Sequence, residues 1–456
     1  MKITFIYPKF DKFLETYPEL AEFPAIAATW AFRMPPAMGI PILISLLPSD
    51  ISWRIIDQNI EEMDYSDDAD LFAISFFTPQ ASYAYEIGDR LLEMGKKVVM
   101  GGMHPSMAPE DTASHCDSLC IGEADTIWLT IIDDFKTGSV KKVYRSAFPE
   151  PHQIASPKSD IFAVENKYDW HASLISVTRG CPFGCDWCNV PHYQGTKIRL
   201  RPLETVVEEI KKLSGKEFYI TDDMIMLNRP RIQKYVMELC EQIKDYKVDM
   251  FLSCSPAMNT DPAFLDAIAS AGTKSMYTVF ASDPISARFF ARNPGIWQRT
   301  IDLVKQLEDR GIRFFGSFGV GFDSCMEDQF DLILEFCEKA SVKTAEFFIA
   351  TPFPGTAFWK KIKGENRFIE TDWRKFNCAN VVFKPQHTTE QQLRDGFVML
   401  WREFFRKVDY EESLSSFHQK LENILKSREF SQEVKDAVVR GINQNQIKLN
   451  NHSVQH

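Results

Sequence analysis

The sequence predicts an α/β protein: an N-terminal doubly wound parallel sheet, then a partial (β/α)6 barrel and a helical C-terminal region. Two observations carry this. Short apolar runs alternate with helical patterns in two separate series, and strands that alternate with helices pair in parallel under helical cover. Between the series, residues 146–170 hold several prolines and mixed charge without a period, which reads as a surface linker. At 456 residues the chain is too long for one ordinary core. The expected boundaries are 1–145, 146–170, 171–369 and 370–456.

In the first series, residues 2–7 (KITFIY) form a strand ending at Pro8. An aromatic-rich excursion runs to Gly39, followed by a helix over 40–47 and a strand over 53–56 that ends at Asp57. A third strand covers 71–76 and is followed by a helix to about residue 94. A fourth, 97–100, runs into Gly101-Gly102-Met103-His104-Pro105-Ser106. The fifth, 118–121, runs into Gly122-Glu123-Ala124-Asp125 and another helix. Ligands of such sheets sit outside the carboxyl ends of the strands. Those ends carry Ser75, Gly101, Gly102, Gly122 and Glu123 here, and glycine lets backbone approach a large flat ligand closely.

The second series has strand patterns at 174–177, 217–221, 249–254, 275–280, 313–320 and 344–350. Helical patterns lie at 203–213, 231–246, 262–271, 298–310 and 328–339. A closed eight-stranded barrel typically needs about 250 residues, so a six-unit open barrel is expected, with its site at the carboxyl strand ends.

Hydrophobic content of 45% and charged content of 25% are ordinary for a globular chain. A net charge of −11 argues against a nucleic-acid partner. No apolar run approaches the roughly 18 residues of a membrane span, and Met1-Lys2 leads straight into a strand pattern, so neither a transmembrane segment nor a leader is expected. Seven of the ten cysteines are scattered singly or in the loose pair Cys116/Cys120, the pattern of reduced thiols in a cytoplasmic protein.

The other three form the strongest motif, Arg179-Gly180-Cys181-Pro182-Phe183-Gly184-Cys185-Asp186-Trp187-Cys188-Asn189. Thiolates ligate soft metals, and several on one short loop can wrap an iron–sulfur cluster. Three ligands to a four-iron cluster leave one iron open, as a catalytic zinc keeps an open position. A zinc knuckle with His192 as fourth ligand, and three buried thiols, are the rival readings of Cys181, Cys185 and Cys188.

This loop, with Trp187 directly before the third cysteine, resembles the cluster loop of the radical S-adenosylmethionine (SAM) enzymes. The resemblance implies a [4Fe-4S] cluster whose open iron chelates the amino and carboxylate groups of SAM. It also implies an electron donor such as flavodoxin or ferredoxin, which starts SAM cleavage to a deoxyadenosyl radical. On this pattern Trp187, Thr221, Asp222, Asp223, Ser253, Gly319 and Pro352 are the SAM candidates. Thr221-Asp222-Asp223 ends the second barrel strand and equally reads as a solvated turn or helix cap. Ser253 and Ser255 flank the third strand's end. Gly316, Gly319 and Gly321 mark the fifth strand, and Pro352 lies in a Pro-Phe-Pro-Gly-Thr turn after the sixth. Arg199 and Arg201 match an R-x-R pattern, to meet the SAM carboxylate or to make structural ion pairs. Asp283 stands where relatives carry a glutamate.

The Gly-Gly-x-His-Pro-Ser and Ile-Gly-Glu-Ala-Asp runs resemble the cobalamin-binding domain that precedes the barrel in cobalamin-dependent radical SAM enzymes. Ser75, Gly101, Gly102, His104, Gly122 and Glu123 are then the cobalamin candidates. The D-x-H-x-x-G run that supplies a lower cobalt ligand elsewhere is absent, and Asp57-Gln58-Asn59-Ile60-Glu61 stands at that strand end. His104 is a candidate ligand, with hydrogen bonding to the backbone as its other reading. A flavodoxin-like domain without a ligand remains a further reading. After the barrel, Leu393, Phe397, Leu400, Trp401 and Phe404 recur at helical spacing on a helix over 390–405, to cap the barrel or as plain core. The resemblance as a whole implies a C-methyltransferase acting on an unactivated carbon of a small, apolar molecule, lipid or natural-product precursor. Radical rearrangement, cyclisation or carbon–carbon coupling is the second reading, and a non-catalytic iron–sulfur or zinc protein the third.

Overall fold

The structure, a computed structural model, describes residues 1–452 apart from 32, 34, 37, 163–166, 169–172, 223–224, 255–260, 281–293 and 408–429. Asp223, Ser255 and Asp283 fall outside the described residues.

The first sheet contains β1 (Lys2–Tyr7), β2 (Ser52–Asp57), β3 (Leu71–Ser75), β4 (Val98–Gly101), β5 (Ser118–Ile121) and β6 (Val143–Arg145). All pair in parallel in the order β2-β1-β3-β4-β5-β6. The order reverses direction at β1 and β3, which opens a crevice at their carboxyl ends. Five of the strands follow the apolar runs of the sequence. β6 does not: it is a three-residue edge that follows Lys141-Lys142 and ends in Arg145, too short and too charged to show as a run.

The second unit contains β7 (Ser173–Ile175), the short strands β8 (Thr178–Arg179) and β9 (Arg199–Leu200), then β10 (Glu217–Ile220), β11 (Asp249–Cys254), β12 (Thr273–Phe280), β13 (Arg313–Val320) and β14 (Thr344–Ile349). Six of these pair in parallel in the order β14-β13-β12-β11-β10-β7. Among the described residues β7 and β14 do not meet, so the barrel is open. β8 and β9 form a separate antiparallel ribbon.

The N-terminal excursion crosses to the barrel. Phe13, Tyr17, Leu20 and Ile26 share a core with Leu393, Phe397 and Trp401 of the helix Glu390–Lys407 and with Val434 of the helix Gln432–His452. Phe13 stands 5.4 Å from Trp401 and Tyr17 5.5 Å from Phe397, ring to ring. Phe347, on the outer face of β14, meets Trp401 and Phe404. The helix Glu390–Lys407 is therefore core rather than a pocket wall, and residues 13–28 join the barrel despite preceding the first crossover.

Candidate active site at the junction of the two sheets

The ribbon β8–β9 brackets the cysteine loop. Gly180 has φ +96°, and a Cβ there would lie 2.4 Å from the Lys197 carbonyl oxygen, so only glycine lets the ribbon close. Cys181 N–H donates to the Gly195 carbonyl (3.0 Å), and Cys188 N–H to the Cys185 carbonyl (3.1 Å). Val190 N–H points at the Cys188 sulfur (3.4 Å), a contact that favours a thiolate. Trp187 pins the loop against Phe322 and Phe348 at the ends of β13 and β14, with ring centroids 6.1 and 6.3 Å away. Phe358 N–H donates to the Asp186 carbonyl (2.8 Å), joining the loop to the helix Ala357–Gly364.

The loop fits a bound cluster. Trp187 Nε1 and Asn189 Oδ1 are buried there without a hydrogen-bond partner. Each such orphan costs about 1–3 kcal/mol, a cost that a bound acceptor or donor removes. Among the described residues no three histidine, cysteine or carboxylate side chains converge on a single-ion site, and His192 is exposed. A lone tetrahedral zinc would require such convergence, whereas a cubane takes each thiolate on a separate iron.

One cavity of about 1270 Å³ runs from the carboxyl ends of the first sheet, past the cysteine loop's flanks, into the barrel lumen. Ser75, Gly101, Gly102, Gly122 and Glu123 line it on one side. Thr178, Arg179, Tyr193 and Thr221 line it on the other, and Tyr219, Tyr277 and Phe315 continue it into the lumen. Ordinary small-ligand pockets hold roughly 300–1,000 Å³, so this space suits a larger occupant. Gly102 is obligatory here: its φ is +105°, and a Cβ would sit 2.8 Å from the Phe76 carbonyl oxygen. Trp128, buried on the cavity wall, has an unpartnered Nε1, which fits a ligand carrying acceptors.

His104 does not face this cavity. Its Nδ1 is 3.1 Å from Thr78 Oγ1 and its Nε2 2.9 Å from the Tyr85 hydroxyl, with Trp373 edge-on to the ring. Both nitrogens are committed, so the expectation of a cobalt ligand gives way to a buried tether. Burial, partly offset by Asp111, pushes its pKa below the ordinary 6.5.

The two arginines of the R-x-R run are structural. Arg199 makes a bidentate pair with Glu123 (both 2.7 Å), and Arg179 a bidentate pair with Asp125 (2.8 and 3.1 Å). The Ile-Gly-Glu-Ala-Asp run thus grips both strands of the ribbon that frames the cysteines. Arg201 instead bonds Glu209, Ser156 Oγ and the Ser176 carbonyl. Asp222 accepts from the backbone N–H of Val177 (2.8 Å) and Thr178 (2.5 Å), anchoring the approach to the loop. The space above Gly319 is filled by the rings of Phe322 and Phe348, so packing explains that glycine. Ser253 Oγ meets the Tyr219 hydroxyl at 3.2 Å, and Pro352 is buried beyond the end of β14. Asp125, Arg179, Tyr193 and Tyr277 were not candidates from sequence. The first two sit inside quoted motifs, while the tyrosines carried no signal beyond strand alternation.

Residues 175–337 match the Radical SAM superfamily model. The chain therefore carries a radical SAM domain over its cysteine loop and most of its barrel, the kind of domain that works enzymatically with a [4Fe-4S] cluster and SAM. Among its relatives is bacteriochlorophyllide d C-12(1)-methyltransferase of Chlorobaculum tepidum, 29% identical over 74% of this chain and 75% of the relative. Two solved structures share the fold. The radical SAM methyltransferase TsrM of Kitasatospora setae, with cobalamin and a [4Fe-4S] cluster bound, has a TM-score of 0.58 and 15% identity over 81% of this chain and 79% of its own. The cobalamin-dependent SAM radical enzyme OxsB, with aqua-cobalamin bound, has a TM-score of 0.63 and 14% identity over 93% of this chain and 70% of its own.

Proposed function

We propose that the chain is a cobalamin-dependent radical SAM C-methyltransferase acting on an unactivated carbon of a small molecule. The observation that supports this reading is the single cavity shared by the first sheet's strand ends, the cysteine loop's flanks and the barrel lumen. When bound, the cluster and SAM supply the radical that removes a substrate hydrogen, and the corrinoid carries the methyl group. Cys181, Cys185 and Cys188 hold the cluster, and Trp187 seals the loop against Phe322 and Phe348. Thr221 is the SAM candidate on the cavity wall. Ser75, Gly101, Gly102 and Gly122 form the corrinoid bed. Glu123 and Asp125 hold Arg199 and Arg179, keeping corrinoid bed and cluster loop in one register, and the apolar walls exclude water. An external one-electron donor of the flavodoxin or ferredoxin kind reduces the cluster. Among the described residues no helix is long and apolar enough to cross a membrane, and a cytoplasmic location belongs to this proposal.

The test is anaerobic reconstitution with iron, sulfide and hydroxocobalamin, followed by visible spectra and analysis of SAM products. Both S-adenosylhomocysteine and deoxyadenosine are expected. Deoxyadenosine without S-adenosylhomocysteine would replace methyl transfer by rearrangement or coupling, and no SAM consumption by a cluster-loaded protein would remove the enzymatic reading.

A further inference from the structure

Halfway down the barrel, the lumen carries a belt of hydroxyls and a carboxylate. On β12, the Tyr277 hydroxyl donates to Glu346 Oε1 on β14 at 2.6 Å. Ser317 on β13 donates to the same oxygen at 2.8 Å. Among the described residues no lysine, arginine or histidine pairs with Glu346, although it is half-buried. A carboxylate taken from water without a cation is held by hydrogen bonds alone, and its strongest available donors are these two hydroxyls. Tyr277 fronts the arrangement: its ring lines the cavity, edge-on to Phe315 at 5.2 Å, while Glu346 lies behind it. Burial and the neighbouring Glu346 charge both push the Tyr277 pKa up, so the phenol keeps its proton.

A phenol whose only proton is committed to a carboxylate offers the other side nothing but lone pairs. We infer that Tyr277, set by Glu346 and Ser317, is a specificity-determining acceptor in the lumen. The substrate therefore presents an N–H or O–H group on an otherwise apolar, aromatic-sized body. The apolar part fits Phe251, Phe315 and Leu174, which line the same stretch. This refines the expectation of an apolar substrate, and a fully hydrocarbon molecule would leave the acceptor unpaired. The inference rests on the reading of the lumen as the substrate chamber.

Three isosteric probes separate the possibilities on the full chain, with neither cluster nor SAM required: indole carries one N–H donor, benzofuran carries an acceptor only, and indene carries neither. Titration calorimetry is expected to give indole a Kd about tenfold lower than either of the others, the size of one net hydrogen bond. In Tyr277→Phe the indole preference should shrink to about twofold or less. Equal affinity for indole and indene in the wild-type protein, or a preference for benzofuran, overturns the proposal without recourse to any variant. An indole preference that survives Tyr277→Phe also overturns it. Probe binding is independent of SAM cleavage, so failure here leaves the radical SAM methyltransferase reading standing. Conversely, absence of S-adenosylhomocysteine leaves this acceptor site standing.

Discussion

Both halves of the molecule are six-stranded parallel sheets, yet they bury their strands differently. In β1 every residue after the first is buried, and β3 is buried until its last residue. In β11 and β14, buried and half-buried residues alternate throughout, and β12 follows the same rhythm after its start. A flat sheet covered by helices on both faces has no interior to offer, so its chemistry is confined to the strand ends. A sheet curled on itself turns alternate side chains toward a lumen, where Tyr277, Ser317 and Glu346 can face one another. The first sheet is thus a bed, whose obligatory features are backbone features such as Gly102. The second is a chamber, whose features are side chains.

Four measurements would break or sharpen this contrast. The largest effect belongs to the cysteine loop. Cys185→Ala should abolish SAM cleavage by the reconstituted protein, read as deoxyadenosine by chromatography, while hydroxocobalamin still binds the first sheet. Retained cleavage would take the loop out of the reaction.

The joint between the two halves comes next. Arg199→Ala leaves Glu123 buried with Arg179, 3.5 Å away, as its remaining cation, so the loss should fall short of the roughly 3–5 kcal/mol of a fully broken buried pair and amount to about 2 kcal/mol. A urea denaturation midpoint should fall accordingly. A change below about 1 kcal/mol would show that the two sheets do not depend on this pair.

A smaller effect is expected in the bed itself. Gly102→Val forces a side chain into φ +105° against the Phe76 backbone, a strain of about 1–3 kcal/mol. Corrinoid retention after gel filtration should drop at least about tenfold, with iron content near wild type. Equal losses of corrinoid and iron would contradict separate beds.

The smallest effect is a pH dependence. His104 is buried with its folded pKa below 6.5, so the unfolded chain takes up the proton first as pH falls. Stability from this group is intact above about pH 6.5 and declines below it, by at most about 1.4 kcal/mol per pH unit. Urea midpoints between pH 5 and 8 should show this slope, and His104→Gln should flatten it.

The sequence alone determined the local part of this protein. Eleven of the twelve strands in the two sheets and the main helices follow from periodicity within a few residues, and the three cysteines are legible because one loop supplies them all. The exceptions are physical: β6 is a short charged edge, and residues 13–28 carry an aromatic surface whose partner, the helix Glu390–Lys407, lies hundreds of residues away. Only the tertiary structure decided which charges meet. Arg199 and Arg201 look equivalent in sequence, yet extended backbone sends residues two apart along different courses once the strand ends. One crosses to Glu123 on the first sheet and the other turns back to Glu209. The alternatives at His104 and Gly319 are separated for the same reason, since what fills the space beside a residue depends on chain brought from elsewhere. The lumen belt required three strands to come to one level before the Tyr277 hydroxyl could donate to Glu346, and no pattern along the chain records that meeting.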